Sequence, residues 1–291
     1  MSLEDQLTEW TKPSSNTEKE KQDRTERMIR QAIDSHSPFD DCSLHVYAKG
    51  SYANNTNVRT DSDVDIAVEC TDVLYWDEAK YGLHTSGSKY KGVWTPPKLR
   101  AELVSAMKNI FSDQVDDFGS TAIQINSSTA RVDADVVPCF SYRYYMINGS
   151  RDGTKIFKKQ GGNIVNYPKH QLDRGVEKNM QTSYAYKKGA RLLKRIENKM
   201  AEDGEFRELP SFFVECLAYN CPNKIFAKAS WTDKLRGMLY YIWDELQGEE
   251  PGTGRWLEAN ECFYLFHSDQ DWTRENGREF AKAAWNHFGF K

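Results

Sequence analysis

At 291 residues, with a formal net charge of −4 and a pI near 5.9, the chain lacks the basic excess that a nucleic-acid coat protein needs for its phosphate contacts, so a small substrate is expected. The length suits one two-lobed unit or two domains. The six cysteines, at positions 42, 70, 139, 216, 221 and 262, show neither CxxC spacing nor a Cys/His cluster, and no apolar run approaches the roughly 18–20 residues that span a bilayer. Free thiols in a soluble, cytoplasmic protein are expected.

In chain order, Glu18 to Ser35 predicts a helix with Met28, Ile29, Ala32 and Ile33 on one face, and Leu44, Val46 and Ala48 alternate as a strand. Val64 to Cys70 alternates again. Pro96-Pro97 opens a helix with Leu99, Leu103, Met107 and Ile110 on its buried stripe. Period-two runs follow at Thr121–Ile125 and Arg131–Val137, and a hairpin flanks Asn148–Gly153, whose Asn-Gly and Asp-Gly steps favour turns. Beyond Gly161-Gly162 and the Asn166-Tyr167-Pro168 bend, helical spacing takes over with Val176, Met180, Tyr184, Ala190, Leu193, Ile196 and Met200. Further helices are predicted from Pro210, Thr232 and Arg274, with Tyr240, Tyr241, Trp243 and Trp256 filling their core. The fold class is α/β: a mixed-sheet core over residues 1–160 with an N-terminal helix, then a helical lobe over 161–291 that closes a nucleotide cleft.

The stretch richest in chemistry is Lys49-Gly50-Ser51-Tyr52 followed by Asp61-Ser62-Asp63-Val64-Asp65-Ile66. Residues two apart on a strand share a face, so Asp63 and Asp65 present two carboxylates to one point while Val64, Ile66 and Val68 pack the other side. Asp61 reads as a turn residue. Two adjacent anions call for a cation, and magnesium fits because it takes hard oxygen ligands together with substrate phosphates; manganese can substitute. Two-metal phosphoryl chemistry needs a third carboxylate, which the strand Arg131–Val137 offers as Asp133 or Asp135; strand period alone does not choose. Gly50 permits close backbone approach and Ser51 adds a hydroxyl, together a phosphate cradle.

The GS…DxD…D arrangement resembles polymerase β-like nucleotidyltransferases. The runs "GSYANNTNVRTDSDVDIAV", "ADVVPC" and "NYPKHQLDRGVEKN" resemble the CD-NTase (cGAS/DncV-like) family, clade E, across nearly the whole chain. That resemblance implies that Asp135, immediately before Val136-Val137-Pro138, is the third catalytic ligand beside Asp63 and Asp65. It also implies that Lys194 and Ser211 touch the donor triphosphate, and that Asn166 favours a pyrimidine at the donor position. The implied product is a cyclic dinucleotide, with cyclic UMP–AMP favoured and UTP and ATP as substrates. The implied setting is anti-phage (CBASS) signalling to a separate effector that senses the product. Lacking a Cys/His insertion and a basic surface, the chain is not expected to need DNA, and a monomer away from membranes is expected. The alternatives are a polymerase-like or protein-modifying nucleotidyltransferase and an inactive nucleotide-binding regulator.

Overall fold

A computed structural model describes residues 1–58, 63–79 and 90–291. The expected turn at Asp61 lies outside the described residues. The first elements are α1 (Leu3–Trp10), α2 (Asn16–Asp34), β1 (Leu44–Lys49), the short α3 (Gly50–Ala53) and β2 (Val64–Glu78). After them come α4 (Pro96–Phe111), β3 (Val115–Asp116), β4 (Ile123–Ile125), β5 (Ala134–Met146), β6 (Gly149–Phe157) and β7 (Asn163–Asn166). The chain closes with α5 (Pro168–Gln181), α6 (Tyr186–Glu202), α7 (Ser211–Asn220), α8 (Asn223–Phe226), α9 (Trp231–Glu245) and α10 (Arg274–His287).

Two compact units result. One comprises Ser15–Tyr52 with residues 63–79 and 90–168; the other comprises Met1–Ser14, residues 53–58 and Lys169–Lys291. Among the described residues, the first holds a seven-stranded sheet in the order β1-β2-β5-β4-β3, with β6 on the later half of β5 and β7 on β6. Of its strand pairs only β2 and β5 run parallel to each other, and both are buried on both faces over Ile66–Val68 and Val136–Phe140, as centrally placed strands are. Val64, Ile66 and Val68 face a core shared with Val136, Ile123, Ile125 and the inner stripes of α2 and α4. Ser15 and Glu18 form a reciprocal capping box that starts α2, and Pro96 and Pro97 sit in the first turn of α4, where a missing N–H costs nothing.

The second unit is helical. Ala190, Leu192, Leu193, Ile196 and Met200 of α6 are fully enclosed by apolar residues of α7, α9 and α10. The N-terminal segment belongs here because the Glu4 carboxylate accepts from the Trp231 and Thr232 N–H groups at 2.7 and 2.9 Å, capping the positive end of α9.

Several expected core positions face outward. Ile110 is exposed and Phe111 is buried in its place, since α4 turns its last residue inward. Val176 and Met180 of α5 are exposed, as is Tyr184 beyond it. Tyr240 and Trp243 also lie on the surface; Trp256 is buried and stacks with the partly buried Tyr241. Period alone marks an apolar stripe without saying that anything covers it. Among the described residues, no helix is long and apolar enough to cross a membrane.

Candidate active site

The register of the sheet assembles the site. Lys49 on β1 pairs with Asp65 on β2, Asp65 with Asp135 on β5, and Asp135 with Gln124 on β4. These four side chains therefore form one row across four strands, at strand spacings of about 4.8 Å. The apolar neighbours Val64, Ile66, Ala134 and Val136 alternate to the opposite face and anchor the row to the core. Lys49 Nζ lies 3.7 Å from Asp65 Oδ1. Burial, and next the negative charge of Asp65, push the Asp135 carboxyl above the usual carboxylate range, with Lys49 and a Gln124 hydrogen bond opposing. Asp63, just ahead of β2, is exposed to solvent.

Gly50 closes the row from the side. Its φ is +67°, and a Cβ there would lie 2.5 Å from Asp65 Oδ2. Glycine is thus required twice, for the left-handed backbone and for the room it leaves the carboxylate. Ser51 follows in the single turn of α3. Asp133 has a different surrounding: its carboxylate accepts from the Ser127 N–H at the turn before β5. Asn166 ends β7, paired with Thr154 and half-buried.

The donor set fits a magnesium-type cation. Asp65 and Asp135 are adjacent, like-charged carboxylates on paired strands, and a hard divalent ion would relieve the repulsion between them.

In the helical unit, Ser211 is exposed at the first position of α7, where Pro210 supplies no side-chain cap and N–H groups remain available to an anion. Lys194 is placed otherwise than a solvent-facing phosphate ligand. Its side chain is only 2% exposed and its Nζ lies 2.6 Å from Glu215 Oε2. Burial raises the Glu215 carboxyl, but the Lys194 charge and hydrogen bonds from Lys194, Thr56 and Asn54 outweigh it and hold Glu215 below its ordinary value.

Comparison with known proteins decides the family. Residues 173–289 match the cGAS/DncV-like nucleotidyltransferase C-terminal helical domain. Over 99% of its length the chain is 34% identical to the cyclic dipyrimidine nucleotide synthase CdnE of Cecembia lonarensis, of which 98% is covered. The chain belongs to the cGAS/DncV-like nucleotidyltransferase family. It is similar to the solved structure of Elizabethkingia meningoseptica CdnE cyclic dinucleotide synthase with GTP and Apcpp, with TM-score 0.84 and 30% identity over 100% of both chains. It is also similar to Rhodothermus marinus CdnE c-UMP-AMP synthase with Apcpp and Upnpp, with TM-score 0.84 and 26% identity, covering 100% of this chain and 99% of that one.

In this cGAS/DncV-like nucleotidyltransferase, sequence reasoning passed over Lys49, Gln124 and Glu215. Lys49 stands directly before the Gly50-Ser51 pair and Gln124 on the alternating run Thr121–Ile125, so both carried a strand-face signal. Glu215 carried none, being one acid in an otherwise apolar helix.

Proposed function

We propose that this chain is a cyclic dinucleotide synthase that joins two nucleoside triphosphates, releases pyrophosphate at each transfer and closes a 3′,5′-linked ring. The observation that carries the reading is the row Lys49–Asp65–Asp135–Gln124 beside Gly50, in a chain whose full-length relatives are cyclic nucleotide synthases. In this reading Asp63, Asp65 and Asp135 hold the catalytic cations. Bound magnesium supplies Lewis-acid neutralisation of phosphate charge and lowers the pKa of the attacking ribose hydroxyl. Gly50 lets the backbone approach the donor triphosphate, and the Ser51 hydroxyl and the Ser211 end of α7 donate to it. Lys194 is assigned to the same triphosphate on the family resemblance alone, its ammonium being paired with Glu215 here. Asp135 would help deprotonate that hydroxyl through the cation it holds on the acceptor side.

Asn166 is assigned to the base: its amide both donates and accepts, as needed to read a pyrimidine edge. UTP and ATP are the favoured substrates and cyclic UMP–AMP the favoured product, supported by relatives named for dipyrimidine and UMP–AMP products. The product would act on a separate effector in anti-phage defence.

The test is incubation with all four triphosphates and Mg²⁺ or Mn²⁺, omitting each in turn, then phosphatase treatment and mass spectrometry. A phosphatase-resistant UMP–AMP dinucleotide is expected, absent from the folded Asp63→Asn/Asp65→Asn variant and shifted toward purines in Asn166→Ser. Linear oligomers would replace this reading with a polymerase-like one, and nucleotide binding without pyrophosphate release with a regulator.

A further inference from the structure

Beyond Gly50-Ser51, residues 54–57 pair with no strand, and side chains of the helical unit hold them residue by residue. Asn54 Nδ2 donates to Glu215 Oε1 at 2.7 Å and Thr56 Oγ1 to Glu215 Oε2 at 2.5 Å. The Asn55 carbonyl accepts from the Arg191 guanidinium, whose Nε also donates to the Thr11 carbonyl at 2.8 Å. Asn57 Nδ2 donates to Ser14 Oγ at 2.6 Å. Asn55 itself is left-handed, with φ +53°. On the far side, a Cβ at Gly175 of α5 would come within 2.6 Å of Asn54 Oδ1, so the helix backbone closes directly on this side chain.

At the centre Lys194 Nζ touches Glu215 and lies 3.4 Å from Thr56 Oγ1, and the Glu215 side chain is 1% exposed. An ion pair buried this far repays little stability compared with a well-packed apolar pair of the same volume. What it does supply is direction, because a carboxylate with fixed donors on both oxygens admits one placement of each donor.

We propose that Glu215 is a positioning residue for nucleotidyl transfer: by fixing Asn54 and Thr56, with Lys194 as its counter-charge, it holds the segment that follows Gly50-Ser51 in the chain in one conformation. The inference rests on the nucleotidyltransferase reading above for its catalytic consequence, though not for the positioning itself.

The test compares Thr56→Val, which removes one donor to Glu215 at nearly constant volume, with Thr56→Ser, which keeps the hydroxyl, and with Glu215→Gln. Melting temperature, KM and kcat for the triphosphates, and amide hydrogen exchange of peptides covering residues 50–58 are read for each. Loss of one hydrogen bond to a charged group predicts for Thr56→Val a KM about tenfold higher and exchange about tenfold faster, with Thr56→Ser close to wild type. Glu215→Gln should move both further in the same direction; if it fails to fold, Thr56→Val decides. A lower melting temperature with wild-type KM and wild-type exchange in the folded fraction would overturn the proposal. Should the wild-type protein release no pyrophosphate, the catalytic reading fails, and the exchange rates still decide whether Glu215 positions the segment.

Discussion

At Gly50 a backbone constraint and a carboxylate meet at one atom's width. The left-handed φ of +67° costs an L-residue about 1–2 kcal/mol, and the Asp65 oxygen, 2.5 Å from where a Cβ would stand, adds a clash at a carboxylate of the proposed cation site. Gly204 has nearly the same φ, +70°, with nothing near its Cβ position, and so isolates the strain from the clash. In denaturant titrations Gly204→Ala should lower the unfolding free energy by the backbone strain alone, and Gly50→Ala by at least that much. Only Gly50→Ala should reduce pyrophosphate release, by about a hundredfold, the effect of misplacing reacting groups by about 1 Å. Equal turnover by the two variants would remove Gly50 from the site. At this scale the strand pattern made Asp63 and Asp65 legible, but it gave Asp133 and Asp135 the same face. The tertiary register is what sets Asp135 beside Asp65, while Asp133 turns to the Ser127 N–H.

Among the elements, the connection from α9 to α10 shows where pattern reading stops. Residues 246–273 have neither helical nor strand period, yet Trp256, Ala259, Leu265 and Phe266 of this stretch are buried in the helical core. Asn220 of α7 ties it down, donating to the Leu257 carbonyl at 2.7 Å and accepting from the Leu257 N–H at 3.1 Å. Glu258 is buried in the same connection, accepting from Asn260 Nδ2 at 2.7 Å and from Gln270. Burial pushes its carboxyl above the ordinary value of 4.5, against opposing hydrogen bonds from Asn260 and Gln270 and the nearby His267. A carboxyl raised in the folded state favours folding most when protonated. Its contribution is therefore full below the unfolded value and is lost as pH rises through the folded one. Wild type should lose stability relative to Glu258→Gln as pH climbs from about 4.5. Paired melting curves at pH 5 and pH 8 check this; a difference that is flat, or that grows in favour of wild type at pH 8, contradicts the assignment.

For the whole molecule, a cation and a triphosphate that bind only the folded chain must stabilise it by mass action. At about one hundred times Kd this amounts to ~2.7 kcal/mol, or ~4 °C in melting temperature for a chain of this size. Mg²⁺ with a non-hydrolysable UTP analogue should produce that rise, chelation should reverse it, and Asp65→Asn should not show it. A gain of the same size in Asp65→Asn would place nucleotide binding away from the acidic row. The sequence by itself determined the α/β-then-helical order, the Gly50-Ser51 and Asp63/Asp65 signature and the family, because period and local motif record which face of an element is apolar and which carries the chemistry. Tertiary packing alone settled that Met1–Ser14 and residues 53–58 join the helical unit, that Lys194 pairs with Glu215, and that Val176 and Met180 of α5 and Tyr240 and Trp243 of α9 lie open. These depend on register and on contacts between residues far apart in the chain, and a local pattern says that a face is apolar or charged without saying what it meets.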